Sequence, residues 1–428
     1  MSRRWVSGVM SPPYRAVLIL VFALLVLPAA WLVAPPAVAV GTTSTVLPAP
    51  AEAAGEAAYS GEAQAARVVL PDAPSVGAPA AILINTDDGR VLFEKNADVR
   101  RAMASTTKIM TGLLGLEHLD YKGTVTASQN ACDTGESEMW LEVGEVVPVE
   151  QLLYGLMVMS GNDAATCVAE SVAGDVAAFV DMMNRRAEQL GLTNTHFANP
   201  HGLDAEGHYA SARDLATLGA YAMQSSAFAE MVGTASITFD WAGHAVKREM
   251  ANHNKLLGSV AYVTGIKTGY TGNAGYCLVG SGSQDGVNLV SVVMGAMTSP
   301  ACNEDTTKLL EYGFALYKKQ TLVEAGTVLA EVPIPYEVDR RLQLVADEPL
   351  VRTLHLEETV SQTVEYPEMA PLPVKAGQAL GKVVCMVEDK VVGEVSLVAA
   401  TTLARPTLND KLSYYWARFS GWLQSLVS

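Results

Sequence analysis

Residues 102–116 run apolar for the length of a helix and carry a single charge, Lys108. A helix apolar all round must be buried, so other elements have to be laid about it. The chain supplies them on both sides. Ala81-Ile-Leu-Ile84, then Asp87-Asp88-Gly89 and Val91-Leu-Phe93, read as a hairpin of two strands. Strand patterns return at 236–239, 262–267, 276–280 and 287–294, the last two flanking the turn Gln284-Asp285-Gly286. Between these groups lie helical patterns at 148–159, 163–172 and 179–190, and another follows at 304–317. Residues 194–213, rich in Asn, His, Gly and Pro, read as an ordered loop. Strands at both ends with helices between them predict one sheet closed by distant segments, an α/β layered domain over 69–319.

The flanking segments differ in kind. Arg3, Arg4 and Arg15 precede an uncharged apolar run at 16–33, and Ala37-Val38-Ala39 offers a small-x-small cleavage pattern, so 1–39 reads as an export signal. The run also approaches the length of an uncleaved membrane anchor. Residues 40–68 are mostly Ala, Gly, Ser, Thr, Glu and Pro with almost no large apolar side chain, a flexible linker. Short Val-rich runs at 327–332, 350–356, 382–387 and 391–398 alternate with turn residues and predict a small all-β domain over 320–403. In the last segment, 404–428, Leu408, Leu412, Tyr415, Trp416, Phe419, Trp422, Leu423 and Leu426 recur at helical spacing, an amphipathic helix suited to a membrane interface. Packing on the protein or on a second subunit is its alternative role.

A net charge of −16 repels phosphate backbones and argues against nucleic-acid binding. The five cysteines are scattered without CxxC spacing, and an odd number in an exported chain leaves a thiol over. Cys167 and Cys277 lie in apolar runs and are expected to be buried small hydrophobes.

The chemistry is read from three short signals. Ser105 stands three residues before Lys108, on the same face of a helix. Burial lowers a lysine's pKa, and a neutral amine beside a hydroxyl activates serine without a histidine. Ser160-Gly161-Asn162 interrupts a helical run, so its side chains can project from a turn. Lys267-Thr268-Gly269 ends a strand pattern, with a glycine where a ligand backbone can approach. Ser-x-x-Lys, Ser-x-Asn and Lys-Thr-Gly, in that order, are the motif set of penicillin-binding proteins and class A β-lactamases.

With these residues the chain resembles the low-molecular-mass penicillin-binding proteins that act as serine-type D-Ala-D-Ala carboxypeptidases. The resemblance runs from about Pro74 to Ala400 and includes Ala104-Ser-Thr-Thr-Lys-Ile-Met-Thr111, Ser160-Gly-Asn-Asp-Ala-Ala165 and Asn199-Pro-His-Gly-Leu203. It implies a transpeptidase/β-lactamase-like domain, an antiparallel sheet flanked by a helical cluster. It implies Ser105 as nucleophile, Lys108 as its base and Ser160 as proton relay to the leaving group. Asn162 would bind the substrate amide, and Lys267 and Thr268, with Gly269, would hold the terminal carboxylate. The N–H groups of Ser105 and Tyr270 would form the oxyanion hole. The resemblance implies peptidoglycan stems ending in D-Ala-D-Ala and β-lactam antibiotics as partners and no cofactor; the terminal helix adds the membrane surface, on the outer side of the cytoplasmic membrane. Many relatives carry an arginine where this chain has Cys302, which shifts carboxylate recognition onto Lys267.

Other readings of these residues compete with this one. His196, His201 and His208 fall close together, but their spacing fits no helical zinc pair. A class A β-lactamase positions its deacylating water with a Glu-x-x-Leu-Asn loop, and the corresponding stretch here is His196-Phe-Ala-Asn-Pro200. A non-catalytic binding protein would tolerate loss of Ser105 or Lys108, and both are present. A DD-endopeptidase of the same fold is left open by the residues.

Overall fold

The structure, a computed structural model, describes residues 40–46 and 69–425. The export signal, most of the linker and Leu426 lie outside the described residues. The described residues divide into two compact units, one of 69–320 with 351–358, the other of 40–46, 321–350 and 359–425.

The first unit is built on a five-stranded antiparallel sheet. β2 (Ala80–Asn85) and β3 (Val91–Lys95) form the hairpin expected near the start. β8 (Val263–Thr271), β9 (Gly275–Gln284) and β10 (Val287–Ala296) come from the far end. The order is β3-β2-β10-β9-β8, so β2 pairs with β10 and distant segments close one sheet. At the β9–β10 turn Asp285 and Gly286 have φ of 51° and 81°, the left-handed pair of a type I′ hairpin turn.

Period-two alternation sends the strand residues to two separate cores. Ile82, Val290 and Val292 face a helical cluster, whereas Leu83, Leu289 and Val293 face Leu309 and Leu310 of α8 (Ser299–Ala315). Covering both faces is why these strands read as nearly unbroken apolar runs. The helical cluster is α1 (Lys108–His118), α2 (Gln129–Cys132), α3 (Val149–Met157), α4 (Asn162–Ala173), α5 (Val176–Gln189), α6 (Ala212–Ala222) and α7 (Ser226–Gly233). Every α1 residue from Lys108 to Gly115 is buried, as the near-chargeless sequence requires. Ser211 caps α6 by accepting from the Asp214 N–H at 3.1 Å, and Thr298 caps α8 by accepting from Ala301 at 3.2 Å. That cap starts α8 five residues earlier than the apolar pattern suggested.

A hairpin of β6 (Ser236–Asp240) and β7 (Lys247–Ala251) carries a buried ion pair that no local sequence signal marks. Arg248 on β7 is buried, donates twice to Glu145 at 2.9 and 3.0 Å, and donates to the Trp140 carbonyl at 3.0 Å. Its guanidinium lies over the Trp241 ring at 4.4 Å. The pair therefore ties the hairpin to the loop ending at Glu145.

The second unit is all-β with a terminal helix. Its six-stranded antiparallel sheet has the order β1-β15-β16-β17-β13-β12, drawn from β1 (Val40–Val46), β12 (Val328–Pro333), β13 (Arg341–Ala346), β15 (Val360–Pro367), β16 (Ala379–Val387) and β17 (Lys390–Ala399). β1 corrects one expectation: Val40–Val46, placed in the flexible linker, pairs along β15 from Val40↔Pro367 to Val46↔Ser361. An edge strand is held by backbone hydrogen bonds and favours β-branched Val and Thr, so it needs no large apolar residues. The terminal helix, α9 (Leu408–Ser425), opens on a reciprocal cap in which Thr407 N–H and Oγ1 donate to Asp410.

Removing one partner of a buried ion pair strands the other charge. Glu145→Ala should therefore destabilise the first unit by about 3–5 kcal/mol, while Glu145→Leu with Arg248→Met should recover most of the loss. Thermal unfolding of the three proteins checks this.

Candidate active site

The stretch expected to be one helix from 102 begins instead as a 3₁₀ turn, Ala104–Thr107, and becomes α-helical at Lys108. Threonine hydroxyls explain the change: Thr106 Oγ1 donates to the Met103 carbonyl at 2.6 Å and Thr107 Oγ1 to the Ala104 carbonyl at 2.8 Å. The turn buries Ala104, Thr106 and Thr107 and leaves Ser105 as its accessible side chain.

Lys108 is fully buried, and its amine meets three oxygens: Ser105 Oγ at 2.9 Å, Asn162 Oδ1 at 2.7 Å and the His201 carbonyl at 2.5 Å. Asn162 Oδ1 and the carbonyl can only accept, whereas a hydroxyl can donate as well. A neutral amine has two N–H bonds and one lone pair. Two acceptors claim both N–H bonds, so the lone pair of neutral Lys108 faces the Ser105 hydroxyl. Burial holds the pKa of this amine well below the usual lysine range, and the charge on Lys267 lowers it further; Asp163 and Glu136 act in the opposite sense.

Ser160-Gly161-Asn162 forms the second wall, between α3 and α4. Ser160 is buried and held at φ 62°, a strained value for a residue with a side chain. Asn162 is a junction: besides meeting Lys108, its Nδ2 donates to the Gly135 carbonyl at 2.9 Å and its backbone N–H to the Ser137 carbonyl at 2.7 Å. Asp163, assigned no part from the sequence, accepts from the Met139 and Leu141 N–H groups at 3.0 Å each. An acid in the first turn of a helix is common, and nothing local indicates that it gathers a distant loop.

The third wall is β8. Lys267 is fully buried, its amine donates to the Thr268 carbonyl at 3.1 Å, and burial lowers its pKa to about 7. A Cβ on Gly269 would stand 2.9 Å from the Ser105 nitrogen and 3.1 Å from Ala104 Cβ, so only glycine lets the strand pass this close to the serine turn. Tyr270 is exposed, with its ring centroid 4.4 Å from that of Tyr276.

The walls enclose a cleft of about 290 Å³ onto which Ser105, Ser160, Thr268, Gly269 and Tyr270 open. Lys108, Asn162 and Lys267 stand against them, so the residues singled out in the sequence are gathered at one place. Glu136, Ser137 and His253 also line the cleft without having been foreseen. Burial and the charge on Lys267 lower the His253 pKa to about 4, so its ring is neutral at pH 7. Cys302 lines the cleft from α8, and burial pushes its thiol pKa up. Cys167 and Cys277 are buried free thiols.

The histidines are otherwise engaged. His208 Nε2 pairs with Thr107 Oγ1 at 2.8 Å, while its Nδ1 accepts from Ala198 N–H at 3.0 Å. His196 Nδ1 meets the Gly207 carbonyl at 2.7 Å. His201 contributes its main chain to Lys108 while burial drives its own pKa to about 3. Among the described residues no group of three His, Cys, Asp or Glu side chains could hold a metal ion.

Residues 67–298 match the family model described as D-alanyl-D-alanine carboxypeptidase, and 317–405 match that of the penicillin-binding protein 5 C-terminal domain. The D-alanyl-D-alanine carboxypeptidase DacF of Bacillus subtilis is 35% identical over 333 residues, covering 75% of this chain and 85% of the relative. Among solved structures, penicillin binding protein 5 from Haemophilus influenzae aligns with a TM-score of 0.56 and 32% identity, over 79% of this chain and 100% of that one. The Streptomyces K15 DD-transpeptidase aligns with a TM-score of 0.55 and 36% identity, over 57% and 100%.

The close approach at Gly269 can be tested directly. Gly269→Ala should force β8 and the serine turn apart, with a stability loss of about 1–3 kcal/mol. Faster amide exchange at residues 104–107 than in the parent, measured under native conditions, is the expected sign.

Proposed function

The chain belongs to the D-alanyl-D-alanine carboxypeptidase family of serine peptidases, and from that premise we propose that it removes the terminal D-alanine from peptidoglycan stems through an acyl-enzyme on Ser105. The observation that carries this reading is the Lys108 amine, whose two acceptor-only neighbours leave its lone pair to the Ser105 hydroxyl. Lys108 takes the serine proton as Oγ attacks the penultimate carbonyl. The N–H groups of Ser105 and Tyr270 receive the developing oxyanion, and Ser160 relays a proton to the departing D-alanine nitrogen. Water then releases the shortened peptide. Lys267 and Thr268 hold the terminal carboxylate; with a neutral thiol at Cys302, Lys267 carries the positive charge of that subsite. A β-lactam enters the same cleft and leaves Ser105 acylated.

The amphipathic helix α9 supports attachment to a membrane surface. No helix among the described residues is long and apolar enough to cross a membrane. Leu412 and Trp416 on α9 are 65% and 71% exposed, and Phe419 and Leu423 continue the exposed stripe. The opposite side meets its own unit, where the Tyr414 ring lies 5.8 Å from that of Tyr336. Such a helix lies in the interface with its stripe in the acyl boundary. Together with the export signal read from residues 1–39, this supports the reading of an enzyme held on the outer face of the cytoplasmic membrane.

Purified protein should release D-alanine from a pentapeptide stem and take up a fluorescent penicillin. Ser105→Ala should abolish both, and Lys108→Ala should slow acylation by roughly 10²- to 10⁴-fold. Labelling that survives Ser105→Ala defeats the assignment. The pH dependence has a defined sign. Lys267 binds a carboxylate only when protonated, so kcat/KM should fall as pH rises through about 7. Bound carboxylate favours the ammonium form, so the same limb should lie at higher pH in kcat.

Deleting residues 405–428 should leave D-alanine release from a small peptide intact and abolish co-sedimentation with liposomes. Trp416→Glu with Phe419→Glu should come close to the truncation, and added salt should matter little. Sedimentation of the truncated chain with liposomes would exclude α9 as the anchor.

A further inference from the structure

Glu136 is the acidic side chain among those lining the cleft, and the mechanism above gives it no part. Its backbone is clamped on both sides, because Asn162 donates to the Gly135 carbonyl at 2.9 Å and to the Ser137 carbonyl at 2.7 Å. Its φ is 66°, directly after Gly135 at 72°. Glycine is the unstrained choice in that region, so a glutamate there works against the backbone preference. Strain held in place at a functional cleft is a reason to look for a role. Its carboxylate makes no salt bridge among the described residues, unlike Glu145 with Arg248, and it lies exposed.

The placement indicates which part of a substrate it meets. The terminal carboxylate is assigned to Lys267 and Thr268 on β8. Asn162, assigned to the substrate amide, is the residue that clamps the Glu136 segment. Glu136 therefore stands beside the acyl part of the substrate, across the cleft from the leaving D-alanine. A carboxylate there repels the terminal carboxylate and attracts a cation. Resting on the carboxypeptidase reading, we infer that Glu136 selects substrates bearing a free amine on the side chain of the residue that precedes D-Ala-D-Ala.

The test compares two peptides, Nα-acetyl-L-Lys-D-Ala-D-Ala with its side-chain amine free, and the same peptide acetylated on that amine. A partly exposed ion pair corresponds to a preference of about three- to fivefold in kcat/KM for the free amine, shrinking in 0.5 M salt. Glu136→Gln should bring the ratio to about one, and Glu136→Asp should retain part of it. Glu136→Gly should do the same as Gln while relieving the left-handed backbone, so it stands as the control for folding. A ratio unchanged in the Gln and Gly variants, or in the parent at high salt, overturns the inference. Equal turnover of both peptides by the parent overturns it while leaving the carboxypeptidase reading in place. Release of D-alanine from neither peptide overturns that reading and the inference together.

Discussion

An amine buried at the centre of an apolar helical cluster needs an acceptor for every N–H it keeps, and two of the three oxygen neighbours of Lys108 come from far along the chain. Ser105 lies three positions away, Asn162 54 positions and His201 93 positions. The fold can satisfy this amine only when the serine turn, the break between α3 and α4, and the loop ahead of α6 all converge. An unmet donor there would cost about 1–3 kcal/mol, more if charged. The same burial makes the amine chemically useful, since the lowered pKa populates the neutral form.

The proposed mechanism gives two buried lysines different parts. Both are fully buried, and the charge on Lys267 adds to the burial that lowers Lys108. Keeping a proton on Lys267 therefore helps remove one from Lys108, in keeping with the proposed roles of a cation for a carboxylate and a base for a serine. The arrangement also has a stability consequence. An unfolded lysine holds its proton to about pH 10.4, whereas folded Lys267 loses it near 7, so folding gains stability as pH rises through that window.

Around the amine, polar contacts of long sequence separation hold the rim of the cleft. Asn162 and Asp163 gather residues 135–141 by their carbonyls and N–H groups. Arg248 holds Glu145 and the Trp140 carbonyl just beyond. A loop fixed by buried charge-assisted bonds presents its side chains in set directions, and that is what gives Glu136 a position to act from.

Local periodicity and turn chemistry are properties of neighbouring residues, and these are legible in the sequence. The strands of the central sheet, the Asp285-Gly286 turn, the buried helix behind Ser105, the β-rich second unit and the terminal amphipathic stripe all follow from spacing. The Ser105–Lys108 pair belongs with them, because three positions along a helical turn suffice to bring the groups together. The other motif residues could be named only through their resemblance to a known order of triplets. Other features have no local signature. A main-chain carbonyl at His201 accepts from Lys108 whatever side chain it carries, and β1 is held by backbone bonds that composition does not encode. Asp163 and the Arg248–Glu145 pair carry no local sign of their roles, since burial and partnership across 22 to 103 positions arise only once the chain has closed on itself.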